Sequence, residues 1–433
     1  MPIERLSDIH DTILRLLAEC RWVSPALLEL TGYSYTYRTR ALRLLLQQQY
    51  IRKQGEGRAK AYAISTKGRN YLAAFYASRF REEVMEQIKQ LTRNPDDRAV
   101  LRGDAAAMLS LAGYAVHPDD KPVFPAYTPP LPAAPGREAW RGLYQNHSDI
   151  CYPDESDNAV YTKHLTSMNC YYDACSVKEL LYDRGKDGAG VRYSRACGVL
   201  MTPSCLFRVY HSQDVAMKFH ITGERRLQNL LLTGEVFRGY LPERNHAALL
   251  LGNDFTALLH ILEHHLAGHS AKSPVYVKDR GRKGYKSLQG GIGERVTPGN
   301  LGEPSFYLPL TSDSCPLLRM MRYPFWQELL TREVCRELFG LENQPRWTFD
   351  HEEDSVYPLF TLCLQQISLA MSAVRLSPEN RIRLVCLDWQ APLLRELLSP
   401  FASNRDIRVT TLPNGYISNL QRKFELYWGG GEP

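Results

Sequence analysis

Between Ser34 and Arg69 the chain places nine basic residues (Arg38, Arg40, Arg43, Arg52, Lys53, Arg58, Lys60, Lys67 and Arg69) against one acid, Glu56. The apolar spacing in and around this stretch narrows the local fold. Ile9, Ile13, Leu16, Leu17 and Cys20 recur at helical spacing, which predicts a first helix over Ser7 to Cys20 with Ser7 as its N-cap. Ser24 opens a short second helix with Pro25 at its first position, and Thr31-Gly32 ends it. Ser34 caps a third helix to about Gln49, with Leu42, Leu45 and Leu46 facing inward. Tyr50 to Gln54 and Lys60 to Ile64 read as strands around the turn Gly55-Glu56-Gly57-Arg58, and a helix from Lys67 to Phe75 follows. This is the layout of a winged helix-turn-helix with its charge on the side that would meet DNA.

In that layout the N-terminal residues of the third helix enter the major groove. Tyr35, Thr36, Tyr37, Arg38 and Arg40 are expected at bases and phosphates, arginine being the best bidentate partner for guanine. Arg58 and Lys60 at the wing are expected on an adjacent phosphate or in the minor groove, and Lys67 and Arg69 on the DNA backbone. The competing account is a solvated basic face on a protein-docking module.

A chain of 433 residues is too long for one ordinary core. Its 44% hydrophobic and 23% charged content suits a globular protein, and no apolar run approaches the roughly 18 residues needed to span a membrane. The acid-bearing N-terminus lacks an apolar signal core, so a cytoplasmic protein without membrane contact is expected. Ten cysteines occur without a CxxC pair, which favours free thiols over zinc. The net charge of +6 is mild, and its concentration near the N-terminus is what favours a polyanionic partner. Seven prolines between His117 and Arg137 exclude a helix there and predict an extended spacer. The resulting fold class is multidomain α/β: a winged helix over 1–92, a proline-rich linker over 93–140 and a larger mixed α/β domain over 141–433. A helix over Ser78 to Lys89 carries a dimer contact or simply links domains, which leaves a homodimer open.

Within the large domain, Cys197–Met201, Leu206–Tyr210 and Ala216–His220 read as an antiparallel meander, followed by a helix from Gly223 to Leu232. Two strand–helix–strand units are expected at 245–310 and 380–415. In the first, Ala247–Leu251, a helix from Asp254 and a strand near Val275 succeed one another; in the second, Ile382–Leu387, a helix from Asp388 and a strand near Ile407. They suggest a parallel sheet, duplicated or alike by chance. His260-Ile261-Leu262-Glu263-His264 fits a zinc-protease pattern, although a histidine-rich helix end is the simpler account. Lys278 to Arg295 is basic and glycine-rich without P-loop spacing. Its Arg280, Arg282, Lys283 and Lys286 form a second candidate grip on a nucleic-acid backbone, or a plain surface loop. Asp350 to Asp354 reads as a helix start or solvated loop. No catalytic residue, metal or cofactor is assigned.

Three segments resemble the replication-relaxation family of plasmids and integrative conjugative elements of Gram-positive bacteria. They are Tyr62-Ala63-Ile64-Ser65-Thr66-Lys67-Gly68-Arg69, Ser194-Arg195-Ala196-Cys197-Gly198-Val199-Leu200 and Phe207-Arg208-Val209-Tyr210. The resemblance covers the winged helix and the meander. It implies a double-stranded DNA-binding protein acting in plasmid replication, conjugative transfer or transcriptional control, with replication or conjugation proteins as partners. It also implies a restriction-endonuclease-like second domain, whose Pro-Asp turn and acid-x-acid or acid-x-Lys strand would hold divalent metal. Here Pro203-Ser204 and Ala216-Met217-Lys218-Phe219-His220 stand in those places without the carboxylates. A degenerate, non-catalytic domain is therefore the implied form. The alternatives are a metal-dependent nuclease using Asp214, Glu224 and Lys218, and a protein–protein scaffold docked through the winged helix.

Overall fold

The computed structural model describes residues 5–55, 60–91, 97–121, 169–177, 194–202, 205–212, 221–233, 246–266, 275–278, 285–288, 304–323, 326–341, 348–376, 381–399 and 406–428. Helices α1 (Asp8–Cys20), α2 (Pro25–Leu28) and α3 (Tyr35–Gln47) precede a hairpin of β1 (Ile51–Gln54) and β2 (Ala61–Ile64), and α4 (Thr66–Phe75) follows. Ser24 and Ser34 cap α2 and α3, accepting from the N–H groups of Leu27 and Tyr37 at 3.3 and 3.4 Å. The expected cap at Ser7 is not made; its hydroxyl meets His10 Nδ1 at 2.7 Å instead. Between α2 and α3 the chain reverses at Gly32, whose φ of +80° suits a residue without Cβ. The hairpin pairs Ile51 with Ile64 through Gln54 with Ala61, and Val23 bridges Tyr62 from the other side.

The next helix, α5 (Glu82–Leu91), buries Val84 and Ile88 in the same core as Tyr71 and Leu72 of α4. Those apolar side chains are used within the chain and are not available for the dimer contact considered above. Helix α6 (Asp97–Leu111) corrects the linker assigned to 93–140. Its Ala105, Ala106, Ala107, Met108 and Leu109 are all buried, because small side chains let one helix pack on two sides. One side meets α1, and the other meets β3 (Cys170–Asp173) and, beyond β4 (Gly198–Met201), strand β5 (Leu206–His211). The seven prolines of the expected spacer start at Pro118, after the helix, and those from Pro122 to Pro135 lie outside the described residues.

At Gly103 the helix passes directly over the turn after α1: a Cβ there would lie 1.6 Å from the Trp22 carbonyl oxygen. One residue on, buried Asp104 accepts the Ser24 N–H at 2.7 Å. Arg21 pairs with Asp173 at 2.9 Å, and the Tyr114 hydroxyl donates to the Leu318 carbonyl at 2.8 Å. One apolar cluster accordingly runs from Ile9, Leu17 and Leu45 to Phe207, Leu249 and Leu317. The N-terminal unit is docked on the α/β body through a shared core.

That body holds a five-stranded sheet in the order β3-β4-β5-β6-β9, where β6 is His246–Gly252 and β9 is Ser305–Pro309. The first three strands are antiparallel neighbours; β5, β6 and β9 are parallel. Helix α7 (Ile221–Thr233) lies between β5 and β6 in sequence, and α8 (Phe255–Leu266) follows β6. The expected third meander strand, Ala216–His220, lies outside the described residues, as do Pro203, Ser204 and Asp214. The strand near Val275 is β7 (Val275–Lys278), but it pairs antiparallel with β8 (Tyr285–Leu288), and β9 takes the parallel place beside β6. A short hairpin closes at less entropic cost than a crossover.

A second sheet, β10 (Phe349–His351), β11 (Asp354–Pro358), β12 (Arg381–Leu387) and β13 (Ile407–Leu412), has its last three strands parallel, as expected for 380–415. Around it run α9 (Ser314–Met320), α10 (Trp326–Phe339), α11 (Leu364–Leu376), α12 (Ala391–Leu398) and α13 (Gly415–Trp428). Period-two alternation sorts the sheets' side chains onto two faces. Leu249, Leu251, Leu308 and Val385 join α6, α9 and α10; Ala248, Leu250, Tyr307 and Leu384 join α8, α11 and α12. The Tyr307 N–H donates to Leu362 at 3.1 Å, tying β9 to the segment after β11. Among the described residues no helix is long and apolar enough to cross a membrane.

Candidate nucleic-acid interface

Helix α3 turns one face inward and one outward. Arg38, Ala41 and Leu45, at successive helical turns, are buried. Thr36, Arg40, Arg43 and Gln47, spaced four, three and four residues apart, are exposed and form a single stripe. Tyr35, 71% exposed, and Tyr37, 47% exposed, flank the start of that stripe on either side.

The basic residues fall into two groups. Arg38 lies under the surface: its guanidinium donates to the Tyr33 carbonyl at 3.2 Å, pairs with Glu29 at 3.2 Å and sits 5.7 Å from the Tyr35 ring centre. Arg38 was expected among the DNA-contacting residues; its place is inside the N-terminal unit, against Glu29 and the Tyr33 carbonyl. Its helical phase with Ala41 and Leu45 was the available signal. Lys67 donates to the Gln48 carbonyl at 2.9 Å, where it satisfies the C-terminus of α3, and lies 4.3 Å from the Tyr50 ring centre. Arg69 donates to the Thr66 hydroxyl at 3.0 Å, and burial followed by the Arg52 charge lowers its pKa from the ordinary arginine value. Arg52 lies 5.4 Å from the Trp22 ring centre.

Arg40 and Arg43 on α3, with Lys53 and Lys60 on the hairpin, form the second group. They are exposed, and among the described residues their charged groups meet no carboxylate. Arg43 and Lys53 were not among the expected contact residues. Arg58 lies outside the described residues. Helix α3 presents Arg40 and Arg43 with Tyr35 and Tyr37 among its exposed residues, and the hairpin that follows adds exposed Lys53 and Lys60. That chemistry suits a phosphate-lined groove, where guanidinium and phenol groups donate to phosphate and base edges.

The other candidates are placed differently. Arg280, Arg282 and Lys283 lie outside the described residues; Lys286 is on β8, opposite Val277. His260, Glu263 and His264 fall on α8, and their side chains are outside the described residues. Among the described residues no three His, Cys, Asp or Glu side chains cluster as metal ligands would. Asp350 to Asp354 is neither a helix start nor a plain loop. It is the tight turn joining β10 to β11, with Glu352 at φ +55°. Arg381 pairs with Glu353 and Arg383 with Asp354, the latter at 2.5 Å.

Glu224, on α7, is fully buried. Its carboxylate accepts from the Ser194 hydroxyl at 2.9 Å, the Arg195 N–H at 2.7 Å and the Tyr210 hydroxyl at 2.7 Å, with Arg208 at 3.9 Å. Burial, then the charge of Glu224, pushes the Tyr210 phenol far above its ordinary range. This set of contacts ties α7 to β5 and to the segment before β4. Lys218 and Asp214, the companions of Glu224 in the nuclease alternative, lie outside the described residues.

No protein-family model, curated protein or solved structure matches the chain.

Proposed function

We propose that the chain binds double-stranded DNA in a sequence-dependent manner through the exposed face of α3, with the β1–β2 hairpin on the adjacent backbone, and that it acts without catalysis. The supporting observation is the sorting of charge on one small unit. Arg38 is buried and Lys67 and Arg69 hydrogen-bond within the unit, while Arg40 and Arg43 on α3, beside Tyr35 and Tyr37, and Lys53 and Lys60 on the hairpin stand exposed without a carboxylate partner among the described residues. This is the winged-helix reading of the unit. With the resemblance to replication-relaxation proteins, it gives a cytoplasmic protein of a mobile element, active in replication, transfer or transcriptional control.

Fluorescence anisotropy of the full chain on labelled duplexes, across salt concentrations, tests the reading. Binding should weaken steeply with salt, because each neutralised phosphate releases counterions. The Arg40→Ala/Lys60→Ala double variant should bind about tenfold or more weaker, with a salt slope shallower by about one from the lost Lys60 phosphate contact. Absence of duplex binding at low salt would refute the reading and favour protein docking. Magnesium-dependent nicking of supercoiled plasmid would favour the nuclease alternative.

A further inference from the structure

We infer that Arg40 and Arg43 are base readers, and that the preferred DNA site contains two adjacent G·C pairs, one for each arginine. The inference rests on the proposal that α3 enters the major groove. Both residues occupy the middle of the exposed stripe, between Thr36 and Gln47. On a helix inserted in a groove, the centre of the inserted face meets the floor, where the base edges lie; the flanks meet the phosphate rims. Tyr35 and Tyr37 are on those flanks, as exposed rings with hydroxyls suited to phosphate.

Helix geometry sets the spacing. Three residues separate Arg40 from Arg43, which is about 4.5 Å along the axis at about 1.5 Å per residue. The rise per base pair is about 3.4 Å. The separation is closer to one base-pair step than to two, so the guanidinium groups address neighbouring pairs. Arginine pairs bidentately with guanine O6 and N7, the commonest specific contact in the major groove. Arg38 does not compete for this role, since Glu29 and the Tyr33 carbonyl hold it inside the fold.

The test is selection of bound duplexes from a randomised pool with the full chain. Anisotropy on the selected site and on copies with single pairs replaced then follows. The expected site has two adjacent G·C pairs. Arg43→Ala should lose about tenfold or more of the discrimination at one pair, and Arg40→Ala the same at its neighbour. Both variants should unfold at the wild-type temperature, because neither side chain is buried. A selected site without adjacent G·C pairs, or a uniform weakening on all duplexes by either variant, would overturn the inference. Wild-type binding without sequence preference would overturn it while sparing the DNA-binding reading; no duplex binding at low salt would remove both.

Discussion

In the N-terminal unit Arg40, Arg43, Lys53 and Lys60 stand exposed, whereas five described arginines of the α/β body, Arg208, Arg319, Arg336, Arg381 and Arg383, each meet an acceptor. Arg208 meets the Glu224 backbone carbonyl at 3.1 Å, Arg383 meets Asp354, and Arg336 meets Glu333 at 2.6 Å. Arg319 meets the Leu111 carbonyl at the C-terminal end of α6. The two groups use the same kind of charge for different ends. A buried cation needs a partner because its desolvation is expensive, so it is fixed in place. An exposed one keeps its solvation and remains available to a ligand. Charge density along the sequence does not separate these uses; helical phase and partners do.

The sharpest break of this contrast lies in the body. Glu224→Ala removes the acceptor of three hydrogen bonds and strips Arg208 of its nearest carboxylate, so it should cost about 3–5 kcal/mol in chemical denaturation. A change below about 1 kcal/mol would mean that the cluster is not a structural tie.

The junction between the regions comes next. Burial pushes the Asp104 carboxyl up to about 7, against the opposing pull of the Ser24 N–H. A folded-state value above the unfolded one means stability is fully present below about pH 4 and is lost as pH rises toward 7. Asp104→Asn keeps an acceptor for Ser24 and removes the ionisation. It should therefore match wild type near pH 4 and exceed it progressively up to pH 7, by at most about 1.4 kcal/mol per pH unit. Parallel pH profiles for the two proteins would count against a buried, uncompensated carboxyl. Gly103→Ala should cost about 1–3 kcal/mol, or more if α6 cannot shift off the Trp22 backbone. Equal stability would show that the two regions are less tightly docked than described.

The smallest effects on stability separate two neighbouring arginines. Arg38→Ala should lower stability by about 1–2 kcal/mol through loss of a buried charged hydrogen bond. Arg40→Ala should stay within about 0.5 kcal/mol, while reducing duplex affinity. The opposite ranking in thermal unfolding would reverse the assignment of the two residues.

Much of the N-terminal unit was legible because Leu and Ile recur with a single period and Ser24, Ser34, Gly32 and Gly55 punctuate it. Strands β4, β5, β6 and β12 were legible as apolar runs bounded by turns. Helix α6 was not, since alanine on several sides blurs the amphipathic signal and a proline-rich stretch follows closely. The partner of β7 was missed because pairing is a non-local choice that spacing alone does not determine. In the candidate interface, the inward turn of Arg38 was readable from its phase with Ala41 and Leu45. The carbonyl taken by Lys67 belongs to Gln48, nineteen residues earlier, and no local pattern announces it.

The crossing of α6 over Trp22, with Asp104 on Ser24 and Arg21 on Asp173, would have a geometric consequence if α3 seats in a duplex as proposed. A reader joined to its body by a slack tether leaves that body free to wander. Here the direction in which α3 lies along the groove would also set the azimuth of the α/β body around the DNA axis. Inverting an asymmetric site would then carry the body to the opposite flank, so the orientation of the site would decide which neighbouring sequence, or which neighbouring protein, the rest of the chain faces.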